Sequence, residues 1–371
     1  MVNKALVFSD LHIHKHKKSD DRLDDCLKVL EWCFNSALVN DCKYIFFLGD
    51  LFHDRSIIDV MTYFKTVDVF LKYFQDQSPP FEMYLLVGNH DMYLKERWDI
   101  HSVKALSAIQ NVTIIDKPTK FKLNNTVIDL VPHLENPIKV LTSLKDPDSS
   151  YKKVLMTHMS VDGAILNSTY GNTSDVIIEY DSEMVRVTPE VFDGWDLTLL
   201  GHYHIGQRVT ENVEYIGSPL ELTFGEAFQE KHLMILDLDT LDRSYIINEF
   251  SPKHKLILAD EIDDHDLNDC FVRIICDDIP ATEFIDLKNK IKSNPTIRTL
   301  DFQPKKKKEE IEEKDSQILE EAKSIFDNET DMLETYLDLN PVPEDLDKDL
   351  ALEIGKNICE LSRQTLKGNN E

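Results

Sequence analysis

The sequence predicts a layered α/β domain whose sheet is partly antiparallel, followed by a small strand-helix-strand cap and a pair of short C-terminal helices. Three observations predict it. Short apolar runs alternate with segments of helical period from Ala5 to about Leu200. Short alternating runs cut by turn residues then fill Val213 to Phe250. Finally, a stretch of almost pure charge near residue 304 separates everything before it from a tail that regains apolar period.

The strand-length runs are Ala5-Leu6-Val7-Phe8, Tyr44-Ile45-Phe46-Phe47-Leu48, Tyr84-Leu85-Leu86-Val87, Val154-Leu155-Met156 and Leu197-Thr198-Leu199-Leu200. Between the first two, Asp24 to Leu38 places Leu27, Leu30, Phe34 and Leu38 on one helical face. Beyond Asn111, β-rich sequence continues through Val127-Ile128-Asp129-Leu130. The cap is expected as a strand over Phe271 to Cys276, a helix over Glu283 to Ile291 and a strand over Thr296 to Phe302. Pro304 to Lys314 carries one apolar residue and cannot form a core, so it is a linker or a solvated helix. The domains expected are 1–252, 253–303, a linker at 304–316 and a helical hairpin at 317–371. In the hairpin, Pro341 and Pro343 divide two amphipathic helices, which either dock on their own domain or form a partner-binding surface.

At 371 residues the chain can bury a sizeable core. No apolar run approaches the roughly 18 residues of a membrane span, and the first residues lack the pattern of a secretory leader, so a cytoplasmic protein is expected. The six cysteines form no CxxC pair and are expected as reduced structural thiols. The net charge of -27 excludes a protein that coats nucleic acid by bulk electrostatics. Residues 301–371 hold 20 acids and 10 bases, which leaves -17 for residues 1–300, so the tail alone is not responsible. Any contact with nucleic acid must be local, and bound divalent cations would offset part of the charge.

Five apolar runs end in side chains that bind metals: Asp10-Leu11-His12, Gly49-Asp50-Leu51-Phe52-His53, Gly88-Asn89-His90-Asp91, His158 and Gly201-His202-Tyr203-His204. Carboxyl ends of strands in an open α/β sheet converge on one crevice, so these clusters are expected to meet. Imidazole with carboxylate favours manganese, iron or zinc over an all-oxygen calcium cage. Asp10 and His12, like His202 and His204, would share a side in extended chain, so either pair could ligate. A carboxylate such as Asp50 can bridge two cations about 3.5 to 4 Å apart. Gly49, Gly88 and Gly201 sit where backbone must approach the site. Any one fragment would arise by chance, and a lone histidine after a strand is usually structural. Five in order are not explained that way.

The ordered set DxH, GDxF, GNHD, a lone histidine and GHxH resembles the calcineurin-like metallophosphoesterases over Val2 to about Phe250. The finer features, Gly49 to His53, His158 to Ala164 and Tyr215 to Glu226, are similar to the SbcD and meiotic-recombination-eleven nuclease branch, in a compact phage-type form. The resemblance implies a sandwich-like nuclease domain over 1–252 with the small cap at 253–303. It also implies one ion held by Asp10, His12, Asp50 and His204, and a second by Asp50, Asn89, His158 and His202, with manganese as the metal. By the same resemblance His90 would stabilise the leaving oxygen, oriented by Asp91, and His53 would help position DNA. The helical hairpin would bind the coiled coil of an SMC-like ATPase through Leu333, Tyr336, Leu337, Leu346, Leu350, Ile354 and Ile358. A homodimer acting on DNA in repair or recombination is the implied assembly. His12 to Lys18, Arg55, Arg97 and Lys305 to Lys308 could supply phosphate contacts, but charge runs are usually solvated, and the acids adjoining Lys305 to Lys308 favour a simple linker there.

Two other functions remain open on the residues alone. A phosphoprotein or small-molecule phosphoesterase would use the same metal site, although protein phosphatases of the superfamily carry GDxVDRG and GNHE where this chain has Gly49 to Ser56 and Asp91. A scaffold with a vestigial metal site is the third, and no expected ligand is missing to support it.

Overall fold

The computed structural model describes residues 3–15, 20–75, 80–94, 99–146, 150–165, 178–180, 183–185, 187–227, 229–276, 285, 287–289, 291 and 296–304. Of the expected linker only Pro304 is described; residues 305–316, the hairpin and the partner-contact face, together with Arg97 and Cys359, lie outside the described residues. So do Lys17 and Lys18.

Two six-stranded mixed sheets form the main body. The first contains β1 (Lys4–Phe8), β2 (Tyr44–Phe47), β3 (Glu82–Leu86), β4 (Val112–Ile115), β13 (His232–Asp237) and β14 (Arg243–Ile247), in the order β14-β13-β1-β2-β3-β4. The second contains β5 (Thr119–Leu123), β6 (Thr126–Val131), β7 (Lys152–His158), β10 (Leu197–Gly201), β11 (Gln207–Arg208) and β12 (Val213–Tyr215), in the order β11-β12-β10-β7-β6-β5. In the first, β1 to β4 pair in parallel and the antiparallel pairs, β1 with β13 and β13 with β14, lie at one end; in the second, the inner pairs are parallel and both terminal pairs antiparallel. Beside them, β8 (Ile178–Tyr180) and β9 (Glu183–Val185) form a separate hairpin ladder.

The period-2 alternation of strand side chains explains why the central runs are apolar throughout. In β1, Ala5 and Val7 face the second sheet, where they pack with Phe46, Ile128, Val154, Met156, Leu199 and Met234. Leu6 and Phe8 face the other way, into a core with Leu30, Phe34, Phe47, Phe70 and Leu85. That outer core is roofed by α1 (Asp20–Val39) and α2 (Val60–Phe74). Asp59 begins α2 by accepting from the Met61 and Thr62 N–H groups at 3.0 and 3.2 Å. On the far side of the second sheet, Leu155, Phe192, Trp195, Leu200 and Tyr215 pack beneath α3 (Pro137–Leu144). The layers are therefore helix, sheet, sheet, helix.

Each sequence-expected strand of the main domain is present, and α1 exceeds the expected helix by a few residues at its start. The smaller unit holds one strand more than the strand-helix-strand expectation. β15 (His254–Leu258) pairs parallel with β16 (Phe271–Cys276), and β17 (Thr299–Pro304) completes a three-stranded sheet. Residues 285, 287–289 and 291 are helical between β16 and β17. His254-Lys255-Leu256-Ile257-Leu258 escaped notice because its alternation is weak: only His254 and Ile257 are buried. The five described cysteines, Cys26, Cys33, Cys42, Cys270 and Cys276, are free thiols. No helix among the described residues is long and apolar enough to cross a membrane.

Phe34 is the centre of the outer core, with Phe70, Tyr73, Phe74 and Phe81 rings 5.0 to 6.2 Å away. Phe34→Ala is expected to lower unfolding stability by about 3–5 kcal/mol in a denaturant titration. A loss near zero would show that this cluster closes over the gap and is not the packing centre.

Candidate metal centre

The carboxyl ends of β1, β2, β3, β7 and β10 meet at one edge of the sandwich, and all seven sequence-predicted ligands come together there. Asp10, His12 and His204 can present ligand atoms within 4.8 Å of one another, and so can Asp50, His158 and His202. Asp50 lies between the sets: its Oδ2 is 3.5 Å from His12 Nε2 and 3.4 Å from His158 Nε2. Asn89 Oδ1 is 2.9 Å from both His158 Nε2 and His202 Nδ1. His204 Nε2 faces His12 Nε2 at 3.1 Å. Asp10, His12, Asp50 and Asn89 follow strands of the first sheet, whereas His158, His202 and His204 belong to the second.

Extended geometry does not produce this convergence. Asp10, His12, Asp50 and His202 all have positive φ, at 54, 46, 62 and 101°. Each such residue costs on the order of 1–2 kcal/mol, and strain of this kind persists only where the surroundings impose it. The DxH and HxH pairs therefore turn through left-handed backbone instead of sharing a strand face, and His202 and His204 part company into the two clusters. The chain after β1 stays paired with the chain after β2, through Asp10 N to Gly49 O at 3.0 Å and His12 N to Asp50 O at 3.1 Å.

Three glycines admit the ligands, and a Cβ on Gly201 would lie 2.8 Å from His158 Nδ1. A Cβ on Gly88 would lie 2.2 Å from Asp50 Oδ1, and one on Gly49, whose φ is +104°, would lie 2.6 Å from His158 Nδ1. Asp91 fixes the same loops from below. Its buried carboxylate accepts the N–H groups of Gly88 at 2.9 Å, Asp50 at 2.9 Å and Leu51 at 3.0 Å. This corrects the expectation that Asp91 orients His90, because its oxygens are committed to backbone around Asp50. The His90 ring is held instead by Nδ1 donating to the His53 carbonyl at 2.6 Å. His90 packs 4.7 Å from the His12 ring, and His53, exposed, lies between His90 and His14. Arg55 is half-buried, and its charge acts on His90 and His133, lowering both.

The donor set fits a pair of divalent cations. Asp10 Oδ2 accepts the His202 N–H at 3.0 Å, yet its buried Oδ1 has no hydrogen-bond partner. His158 Nδ1 donates to the Leu48 carbonyl at 2.7 Å, which turns Nε2 toward Asn89 Oδ1 and Asp50. Lone pairs thus converge with few donors to meet them, an arrangement that a cation satisfies. Burial opposes charge on Asp50, but His158 and His12 hold its carboxyl well below the usual range. His158 also resists charging through burial, yet the Asp50 carboxylate raises it to about 9.

Sequence reasoning missed two residues. His133 is buried, its Nδ1 donates to the His158 carbonyl at 3.2 Å, and its ring lies near-parallel to that of His202. Burial, then the neighbouring His158, lowers it to about 4, so it is a neutral ring. No motif marks it: it follows β6, whose run ends in Val131-Pro132-His133 with no second ligand type. Glu226 touches His204 from a motif that was noticed for its resemblance and given no role.

Metal-free, His158 carries a proton below about pH 9 that an entering cation must displace. Divalent-metal binding is therefore expected to release protons and to tighten as pH rises toward that value. Calorimetry in two buffers of different ionisation enthalpy reads the release directly. Affinity that stays flat between about pH 6 and about pH 8 would show that no such proton is displaced.

Residues 4–206 match the family described as calcineurin-like phosphoesterase. Exonuclease subunit 1 of Enterobacteria phage T4 is 24% identical over 371 aligned positions, covering 96% of this chain and 98% of that protein. Among solved structures, a dimetal phosphatase from Danio rerio is similar at 10% identity with a TM-score of 0.39, over 66% of this chain and 99% of that one. Pseudomonas putida nuclease MPE is similar at 18% identity and a TM-score of 0.24, over 41% of this chain and 59% of that one. With the family match spanning more than half of the sequence and the residue clusters fitting a dinuclear site, the chain belongs to the calcineurin-like phosphoesterases, metal-dependent hydrolases of phosphate esters.

Proposed function

We propose that the chain is the nuclease subunit of a DNA-repair or recombination complex, a manganese-dependent exonuclease and endonuclease that hydrolyses phosphodiesters at DNA ends. The observation that carries this reading is Asp50 Oδ2 placed between two histidine clusters, with His90 and exposed His53 beside it. The near end-to-end similarity to a phage exonuclease subunit supports the choice of DNA over other phosphoesters. Asp10, His12, Asp50 and His204 would hold one ion, and Asp50, Asn89, His158 and His202 the other. When bound, two such ions supply an activated water and neutralise charge on the phosphoryl oxygens.

The protein's own groups do the rest. Asp50, accepting the His90 N–H at 2.7 Å through Oδ1, couples the position of His90 to that of the bridging carboxylate. Because His90 Nδ1 donates to the His53 carbonyl, Nε2 is the atom left to face the leaving oxygen, and it donates to that oxygen only when the ring carries a second proton. Asp91 contributes by bracing the Asp50 loop. His53, whose ring lies 4.5 Å from that of His14, would contact a strand entering beside them. The protein would act in the cytoplasm as a homodimer, with Leu333, Tyr336, Leu337, Leu346, Leu350, Ile354 and Ile358 forming the face for an SMC-like coiled-coil ATPase.

His90→Ala in the manganese-loaded chain is expected to slow cleavage of an end-labelled duplex by about 10²–10⁴-fold, with metal content unchanged, with or without the ATPase. Equal cutting by variant and wild type would remove His90 from the mechanism. Rates on a phosphopeptide and a cyclic nucleotide, run beside the duplex, decide the substrate class: either of them hydrolysed faster than DNA would overturn the nuclease assignment.

A further inference from the structure

His204 is held at both ends by one buried cluster. Its ring Nδ1 donates to Glu226 Oε1 at 3.2 Å. Its carbonyl accepts from Lys231 Nζ at 2.7 Å and from the Ser218 N–H at 3.1 Å. Glu226 Oε2 in turn accepts from Lys231 Nζ, from Ser218 Oγ at 3.0 Å and from the Leu222 N–H at 3.2 Å. Both Glu226 and Lys231 are 2% exposed. A buried ion pair adds little to stability over apolar packing of the same volume. What this one does is local: with a carboxylate on Nδ1, the imidazole must carry its proton there, and Nε2 is fixed as the lone-pair atom facing His12.

The turn that carries Glu226 also reaches the three-stranded sheet. Phe224 to Glu226 form one 3-10 turn, closed by reciprocal hydrogen bonds between Thr223 and Glu226. One residue of that turn points at the metal centre, and another points away from it. The Phe224 ring lies 4.1 Å from the Arg273 guanidinium and 4.9 Å from the His254 ring, both on strands of the small sheet. Glu221, just before the turn, accepts the His254 N–H.

We propose that Glu226 is the positioning residue for His204, and that the small sheet, by gripping Phe224, sets the turn on which Glu226 stands. The unit beyond residue 253 is then part of the metal centre's support, and not only a surface laid beside it. This rests on the dinuclear reading of the site.

The test is titration of cobalt(II) alone into the metal-stripped full chain, followed by visible absorption and by heat. Wild type is expected to take two ions. Glu226→Ala is expected to weaken one of them by roughly tenfold to a hundredfold and to change its cobalt spectrum, leaving the other at wild-type affinity. Glu226→Gln with Lys231→Met keeps an acceptor oxygen for His204 without stranding an ammonium group, and is expected to restore most of that affinity. Phe224→Ala is expected to weaken the same ion and spare the other. Binding by Glu226→Ala that matches wild type, or equal weakening of both ions in Glu226→Ala and in the double variant, would overturn the proposal. A wild type that binds only one ion would instead overturn the dinuclear reading, and the comparison of Glu226→Ala with wild type on that ion still decides the role of Glu226.

Discussion

The site depends on one carboxylate held in an unfavourable backbone conformation between two groups of histidines. Asp50 can stand there because Gly88 has no side chain to collide with it and because Asp91 collects the N–H groups of the loop around it. Desolvation penalises its charge, and the histidines on either side repay that penalty in the metal-free chain. The neighbouring residues are arranged with respect to this oxygen pair: His90 through its backbone N–H, His12 and His158 through their Nε2 atoms. Loss of the carboxylate would leave two unrelated histidine clusters.

Much of this was legible in the sequence because strand ends and ligand residues coincide. The runs before Asp10, Asp50, Asn89, His158 and His202 are largely apolar, as strands buried on both faces are, with only Thr157 and Thr198 interrupting the last two, and each stops at a polar cluster. A crevice at the carboxyl ends of strands follows from that pattern. The division of the strands into two sheets is less legible: β4 and β5 are separated only by Asp116-Lys117-Pro118, yet they belong to opposite leaves, and no residue type announces the change.

The failures have physical causes as well. Asp10 and His12 do come together, but not by the extended-chain alternation expected, since positive φ at both redirects them. The resemblance implied Asp91 as the orienting partner of His90, but a buried carboxylate is claimed by whichever donors lack partners, and here those are backbone N–H groups. Glu226 and Lys231 were invisible as partners because nothing in a sequence tells that a lysine five residues after a glutamate will be buried with it beneath a histidine.

The ligands are shared between two leaves that otherwise touch through apolar side chains and a few hydrogen bonds such as that from His158 to Leu48. Ions seated among them would rivet one leaf to the other, so cation occupancy would be a property of the fold as well as of the chemistry. A ligand that binds only the folded chain contributes about 4 kcal/mol when present at about a thousand times its dissociation constant, a sizeable share of the stability of an ordinary domain. Scarcity of the metal would then remove the molecule from circulation by unfolding, in addition to silencing it.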